Sequence, residues 1–215
     1  MKKLFTVFFF TLLAASLSAK SVREMWVSMP DSLVGYLNKS LRIELMDFHD
    51  MGVKAEVKNL LNDTTSAGTI TSNFIHVVLN KSSEMELKML PFTGSDSILC
   101  LVRTYYGDAP ESTVDFFDQN WKRLDLGLVF DGQSIASIKS ELVHKPDSIS
   151  ADKYQMLLQT LDPMIAKASL SSNTDEITFM LSTPLMTKEE KEQIQPILLQ
   201  KRLRWNGRLF NDISK

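Results

Sequence analysis

An α+β fold, mostly antiparallel sheet with packing helices, follows from three features of this 215-residue sequence. First, "SEMELKMLP" alternates Met85, Leu87 and Met89 with Glu84, Glu86 and Lys88, the period of a half-buried strand. Second, "MELKMLPFTGSDSILCLVRTYY" and "MIAKASLSSNTDEITFMLST" both read strand, polar turn, strand. Third, apolar residues recur at helical spacing near the start of the chain and again in "SADKYQMLLQTLDP". The shared order of elements suggests two similar tandem units, 20–125 and 126–215, as a divergent repeat. Against that, any antiparallel sheet protein contains such hairpins.

The elements follow in order. In "VREMWVSMPDSLVGYLNKS", Val22, Met25, Trp26 and Met29 fall on one helical face, and Ser28 is placed to cap a second turn starting near Pro30. "LRIELMDFHDMG" is a further short helix, stopped by Gly52. "VKAEVKN" alternates as a strand, although Val53, Val57, Leu60 and Leu61 also fit a helix. "NDTTSAGT" carries loop chemistry and "FIHVVLN" reads as a strand. After "SEMELKMLP", with its acids and Lys88 facing out, "ILCLVRTYY" is apolar on both faces and suits a central strand. "GDAPES" is a turn and "TVDFFD" a strand. The stretch from 126 to 150 is ambiguous, with a short helix around Ile135, Ile138 and Leu142. Next come the helix of "SADKYQMLLQTLDP" and the hairpin of the second unit. Thr187 and Glu190 form a capping box for the helix of "TKEEKEQIQPILLQ", which Pro196 splits. "RLRWNGRLF" closes the chain as a hairpin about Asn206-Gly207. It echoes "VDFFDQNWKRLD", where Phe116 and Phe117 point to opposite faces and Trp121 begins the return.

The N-terminus reads as an address. Lys2 and Lys3 precede an apolar run, Leu4 to Leu13, and small residues follow up to Ala19. Residues 1–19 therefore read as a signal peptide cleaved near Ala19, with an uncleaved anchor as the alternative. The run falls short of the roughly 20 residues that span a bilayer. The expected location is exported, periplasmic or secreted, with no membrane span after cleavage. With 24 basic and 26 acidic residues and no basic stripe, nucleic acid is not an expected partner. The single cysteine, Cys100, has no partner for an internal disulfide and sits in an apolar run, as a buried strand residue would.

Five segments together, "SMPDSLVGYL", "RIELMDFHDMGVKAEVKN", "YYGDAPES", "TKEEKE" and "RWNGRLF", give nearly the whole mature chain a resemblance. It resembles the secreted Bacteroidales family known as domain of unknown function 3256. The resemblance implies an exported protein of a Gram-negative gut-type bacterium. It carries no activity, ligand or catalytic residue to transfer.

The chemistry is sparse. Asp47, His49 and Asp50 in "DFHD" do not by their spacing converge on a metal, and a solvated helix end is the plainer reading. His76 fits a strand face and His144 a loop. There is no nucleophile elbow, phosphate-cradling loop or dinucleotide fingerprint. No catalytic, metal or cofactor residue is assigned, and no cofactor is expected. The loop "RTYYGDAPES" offers the candidate interaction surface, with Tyr105, Tyr106 and Asp108 at a sheet edge. Cross-strand packing is the plainer role for the tyrosines. The expected function is a non-catalytic binding or interaction module of the cell envelope, its partner an envelope protein or polysaccharide. The alternatives are an envelope hydrolase with an acidic site and a structural subunit of an envelope assembly.

Overall fold

The computed structural model describes residues 20–92, 96–183 and 186–214, so the leader expected over residues 1–19 lies outside the described residues. Two short helices open the fold. In α1 (Val22–Ser28), Ser21 and Glu24 exchange hydrogen bonds in a capping box. Asn38 caps α2 (Lys39–Asp50), which ends before Gly52 at φ +67°. A single 3-10 turn, Asp31–Leu33, lies between them, and the cap expected from Ser28 is not made. Ser28 instead donates its hydroxyl to the Met25 carbonyl and accepts from Nε1 of Trp121.

Seven strands follow as an antiparallel meander, each paired with the next. They are β1 (Glu56–Lys58), β2 (Thr64–Ile70), β3 (Phe74–Asn80), β4 (Ser83–Pro91), β5 (Ser97–Tyr106), β6 (Pro110–Phe117) and β7 (Arg123–Leu124). β6 starts inside the expected turn "GDAPES", with Pro110 as its first residue, a position that needs no ladder donor. One face of this sheet buries Val77, Met85, Leu87, Leu99 and Leu101 under Met25, Trp26, Leu45 and Met46 of the two helices. β5 is covered on both sides as its composition predicts, since Ile98, Cys100 and Val102 belong to the other core.

Residues 126–214 cover that other face. Helices α3 (Leu126–Val129), α4 (Ile135–Ser140) and α5 (Ala151–Thr160) lead to β8 (Ile165–Leu170) and β9 (Glu176–Ser182). Then come α6 (Lys188–Ile194), with the expected Thr187–Glu190 capping box, a 3-10 turn containing Pro196, and the hairpin β10 (Gln200–Trp205) and β11 (Phe210–Asp212). These strands form a second antiparallel sheet in the order β11-β10-β9-β8. Phe116 of the large sheet packs edge-on to Phe130 at 5.5 Å, and Phe130 packs on Phe179 and Phe210. The α+β class is thus realised as stacked layers: α1 and α2, the large sheet, then the small sheet with its helices.

The expectation that Glu84, Glu86 and Lys88 face solvent is corrected. β8 lies over that face of β4, and Lys88 is 1% exposed. The residues on this face hold the free edge of β8. Glu86 accepts from the Leu170 amide at 2.9 Å, Lys88 donates to the Ser171 carbonyl at 3.0 Å, and Ser112 of β6 donates to the Ala168 carbonyl at 3.3 Å. Side chains thereby close an edge that would otherwise be open to strand pairing.

Candidate binding cleft

Three turns, one helix and the start of the described chain meet at one end of the large sheet. Asp118 builds the first turn, between β6 and β7. Its Oδ1 accepts from the amides of Asn120 and Lys122 at 2.8 and 2.9 Å, so Trp121 is held at φ +61°. A left-handed non-glycine residue costs about 1 kcal/mol or more, which these bonds offset. Trp121 packs against Phe117 at 5.4 Å with the rings tilted by 57°, and reaches Ser28. Asn206 builds the second turn, between β10 and β11, accepting from the amides of Arg208 and Leu209 at 2.9 and 3.0 Å, with Gly207 at φ +96°. Asp125 caps α3 by accepting from the Gly127 amide. The third wall is the end of β4 and the start of β5. Trp205 donates Nε1 to the Pro91 carbonyl and lies 6.4 Å from the Phe92 ring.

These walls enclose a cleft of about 630 Å³. Its apolar lining is Phe92, Ile98, Leu124, Leu128 and Val129. Its charged lining is Lys20, Asp96, Asp118 and Arg208. Leu128 is 74% exposed and Phe92 39% exposed at the rim. Lys20 donates to the Gln119 carbonyl at 3.1 Å. Asp118 keeps its charge while bonding its own turn, so the lining sets two cations, Lys20 and Arg208, against two acids, Asp96 and Asp118. Such an arrangement can take up an apolar group and pair an anionic one beside it. Both echoing segments meet here, but the tryptophans differ. Trp121 stands in a turn, whereas Trp205 is a buried strand residue.

The residues singled out from the sequence do not converge on this cleft. Tyr105 and Tyr106 are adjacent in β5 and point to opposite faces, with Asp108 in the exposed turn that follows. Tyr105 is 48% exposed. Tyr106, 40% exposed, belongs to a polar set on the face that β8 meets. Its hydroxyl donates to Glu84 and accepts from Lys167 at 2.9 Å, and Lys167 sits over its ring at 5.1 Å. Nε2 of His76 lies 3.2 Å from the other Glu84 oxygen. Burial opposes ionisation of Glu84, but hydrogen bonds from Tyr106, Lys167 and His76 outweigh it and hold the carboxyl below its usual range. Burial pushes the neighbouring Glu86 up, against the bond from Leu170. Within this set the polar atoms are spent on one another, which makes it a clasp between β4, β5 and β8.

Cys100 is fully buried, and burial pushes its thiol well up, which suits packing and not nucleophilic attack. His49 pairs loosely with Asp50 at the end of α2 while Asp47 pairs with Arg23. Among the described residues no group of three or more His, Cys, Asp or Glu is placed to hold a metal ion. No described helix is long and apolar enough to cross a membrane. The sequence reading missed the cleft. Its local signals were present as "DQN", "NG" and "DLG" turn chemistry, but their convergence is a property of the fold.

Layered antiparallel sheets with a cleft at their turns define a class of α+β protein. The chain belongs to the family described as "Protein of unknown function (DUF3256)", whose model matches residues 14–210. No curated protein matches it. Among solved structures it is similar to a domain of an uncharacterized protein from the Bacteroidales bacterium Porphyromonas gingivalis W83. The likeness has a TM-score of 0.74 at 22% identity and covers 92% of this chain and 100% of that one. At that identity the likeness concerns the fold alone.

Proposed function

We propose that the protein is an exported, non-catalytic binding module of the cell envelope, and that the cleft is where it holds its partner. The observation that carries this is an apolar-floored cleft whose rim leaves Leu128 and Phe92 in water beside Lys20 and Arg208. Exposed apolar groups at the mouth of a walled cleft gain from being covered, at roughly 1.5–3 kcal/mol for a fully buried leucine. The floor favours an apolar side chain from an envelope protein over a polysaccharide, and the rim cations suit a carboxylate next to it. Export rests on the Lys2–Lys3 start and the apolar run behind it.

A cross-linked pull-down from the envelope fraction tests this reading. A discrete partner should be recovered by the native chain and lost with Leu128→Asp, a change at an exposed position that leaves the fold intact. Recovery of no partner, together with turnover of envelope polymers by the purified chain, would replace it with the hydrolase reading.

A further inference from the structure

A second surface lies at the opposite end of the large sheet from the cleft, where the β1–β2 and β3–β4 turns meet the loop before α2. Tyr36 joins the three. Its carbonyl accepts from the Leu60 amide at 3.0 Å, and its hydroxyl lies 3.0 Å from Ser83 Oγ and 3.4 Å from Asn80 Nδ2. The β1–β2 turn is rigid. Asn59 is 5% exposed and makes four side-chain hydrogen bonds, accepting from Leu61 and Asp63 and donating to Thr65 and the Leu79 carbonyl. Asn62 completes the turn at φ +60°. This frame holds Leu60 and Leu61 out in water at 60% and 66% exposure. Nothing in the turn requires leucine at either position. Exposed lysines flank these segments: Lys39 at the start of α2, Lys58 at the end of β1, where it donates to the Asn62 carbonyl at 3.5 Å, and Lys81 in the β3–β4 turn. Of the nearby acids, Asp31 pairs with Arg42, while Asp63, which accepts from the Thr64 amide, and Asp108, exposed in the adjoining β5–β6 turn, keep their charge against the three lysines.

We propose that this leucine-tipped, lysine-ringed corner docks on the headgroup plane of a membrane that contains anionic lipid. Leu60 and Leu61 enter the headgroup layer, and the three lysines meet lipid phosphates. Apolar tips framed by cations are the combination that holds a protein at such an interface without crossing it. Each lysine near an anionic surface multiplies partitioning about fivefold, and each buried leucine about tenfold or more. The rigid turn lowers the ordering cost of insertion. Docked this way, the cleft at the far end of the sheet points away from the membrane.

Vesicle flotation of the full exported chain tests the proposal, with phosphatidylcholine vesicles compared against vesicles also rich in phosphatidylglycerol. The chain should float with the anionic vesicles at low salt and be released as salt screens the lysines. Leu60→Asp with Leu61→Asp, and separately Lys58→Glu with Lys81→Glu, should each reduce the bound fraction at least tenfold. Leu61→Trp should show an emission blue-shift on adding anionic vesicles. No flotation, or equal flotation by the Asp variant, overturns the proposal. So does a dimer in solution that the Asp variant splits while the native chain ignores vesicles, which would make the corner a contact between copies.

Discussion

A methyl group added at Gly68 would stand 2.3 Å from Nδ1 of His76. The glycine in β2 leaves room for the His76 ring, whose Nε2 reaches Glu84, so at residue scale the polar clasp depends on an absent side chain. Gly68→Ala should cost about 1–3 kcal/mol, read as a lowered urea midpoint, because the ring must move off Glu84. Gly107→Ala, where nothing lies within 4 Å, should stay within about 0.5 kcal/mol. Two members of the clasp also set an alkaline limit. Burial and the Glu84 carboxylate raise Tyr106 above 10.0. Hydrogen bonds to Tyr106 and Glu84 overcome burial and raise Lys167 above 10.5. Both folded values exceed the unfolded ones, so the stabilisation is whole below about pH 10 and is lost as pH rises through the folded values. Between pH 9 and pH 11.5 (~2.5 pH units), the urea midpoint of the native chain should therefore fall further than that of Tyr106→Phe with Lys167→Met. Parallel losses would assign the alkaline limit to other groups.

At the scale of elements, the caps and turns behave as their residue types require. Ser21, Asn38, Ser150 and Thr187 each cap the helix they precede. β4, β5, β8 and β9 were legible because a period of two is a local property of the chain. Which face of β4 meets water was not legible. The cover over Lys88 is β8, which begins at Ile165, and no local pattern announces a strand about eighty residues away. The same reason hid the cleft, whose walls come from residues 20, 92, 96–98, 118–120, 124, 128–129 and 208. The turn chemistry itself could be read, and it predicts an effect. Asp118→Ala removes the acceptor for two amides and frees Trp121 from its left-handed conformation. It should cost about 1–2 kcal/mol by thermal unfolding and weaken partner capture through the cleft wall. Unchanged capture would remove this turn from the site.

For the whole molecule, the joint between the sheets is polar along β4 and aromatic around Phe116, Phe130 and Phe210. Lys88 sits in the polar part, 3.6 Å from Asp175, with burial lowering its pKa against that carboxylate. A buried cation of this kind costs desolvation that its partners only partly return. Lys88→Met should therefore leave stability unchanged or raise it. Asp175→Ala, which strands the ammonium, should lower stability by about 1–3 kcal/mol, discounted because Asp175 is 31% exposed. The joint fixes the small sheet, and with it the β10–β11 turn, over the end of the large one. That is how residues about ninety positions apart come to line one cleft. The central claim is that this cleft holds the partner, and photo-cross-linking in the living cell tests it most directly. A benzophenone amino acid at position 128 should give one discrete adduct that Arg208→Glu abolishes, while the same probe at the exposed Met156 of α5 gives none. Adducts that are the same from both positions, or none from position 128, would contradict the account.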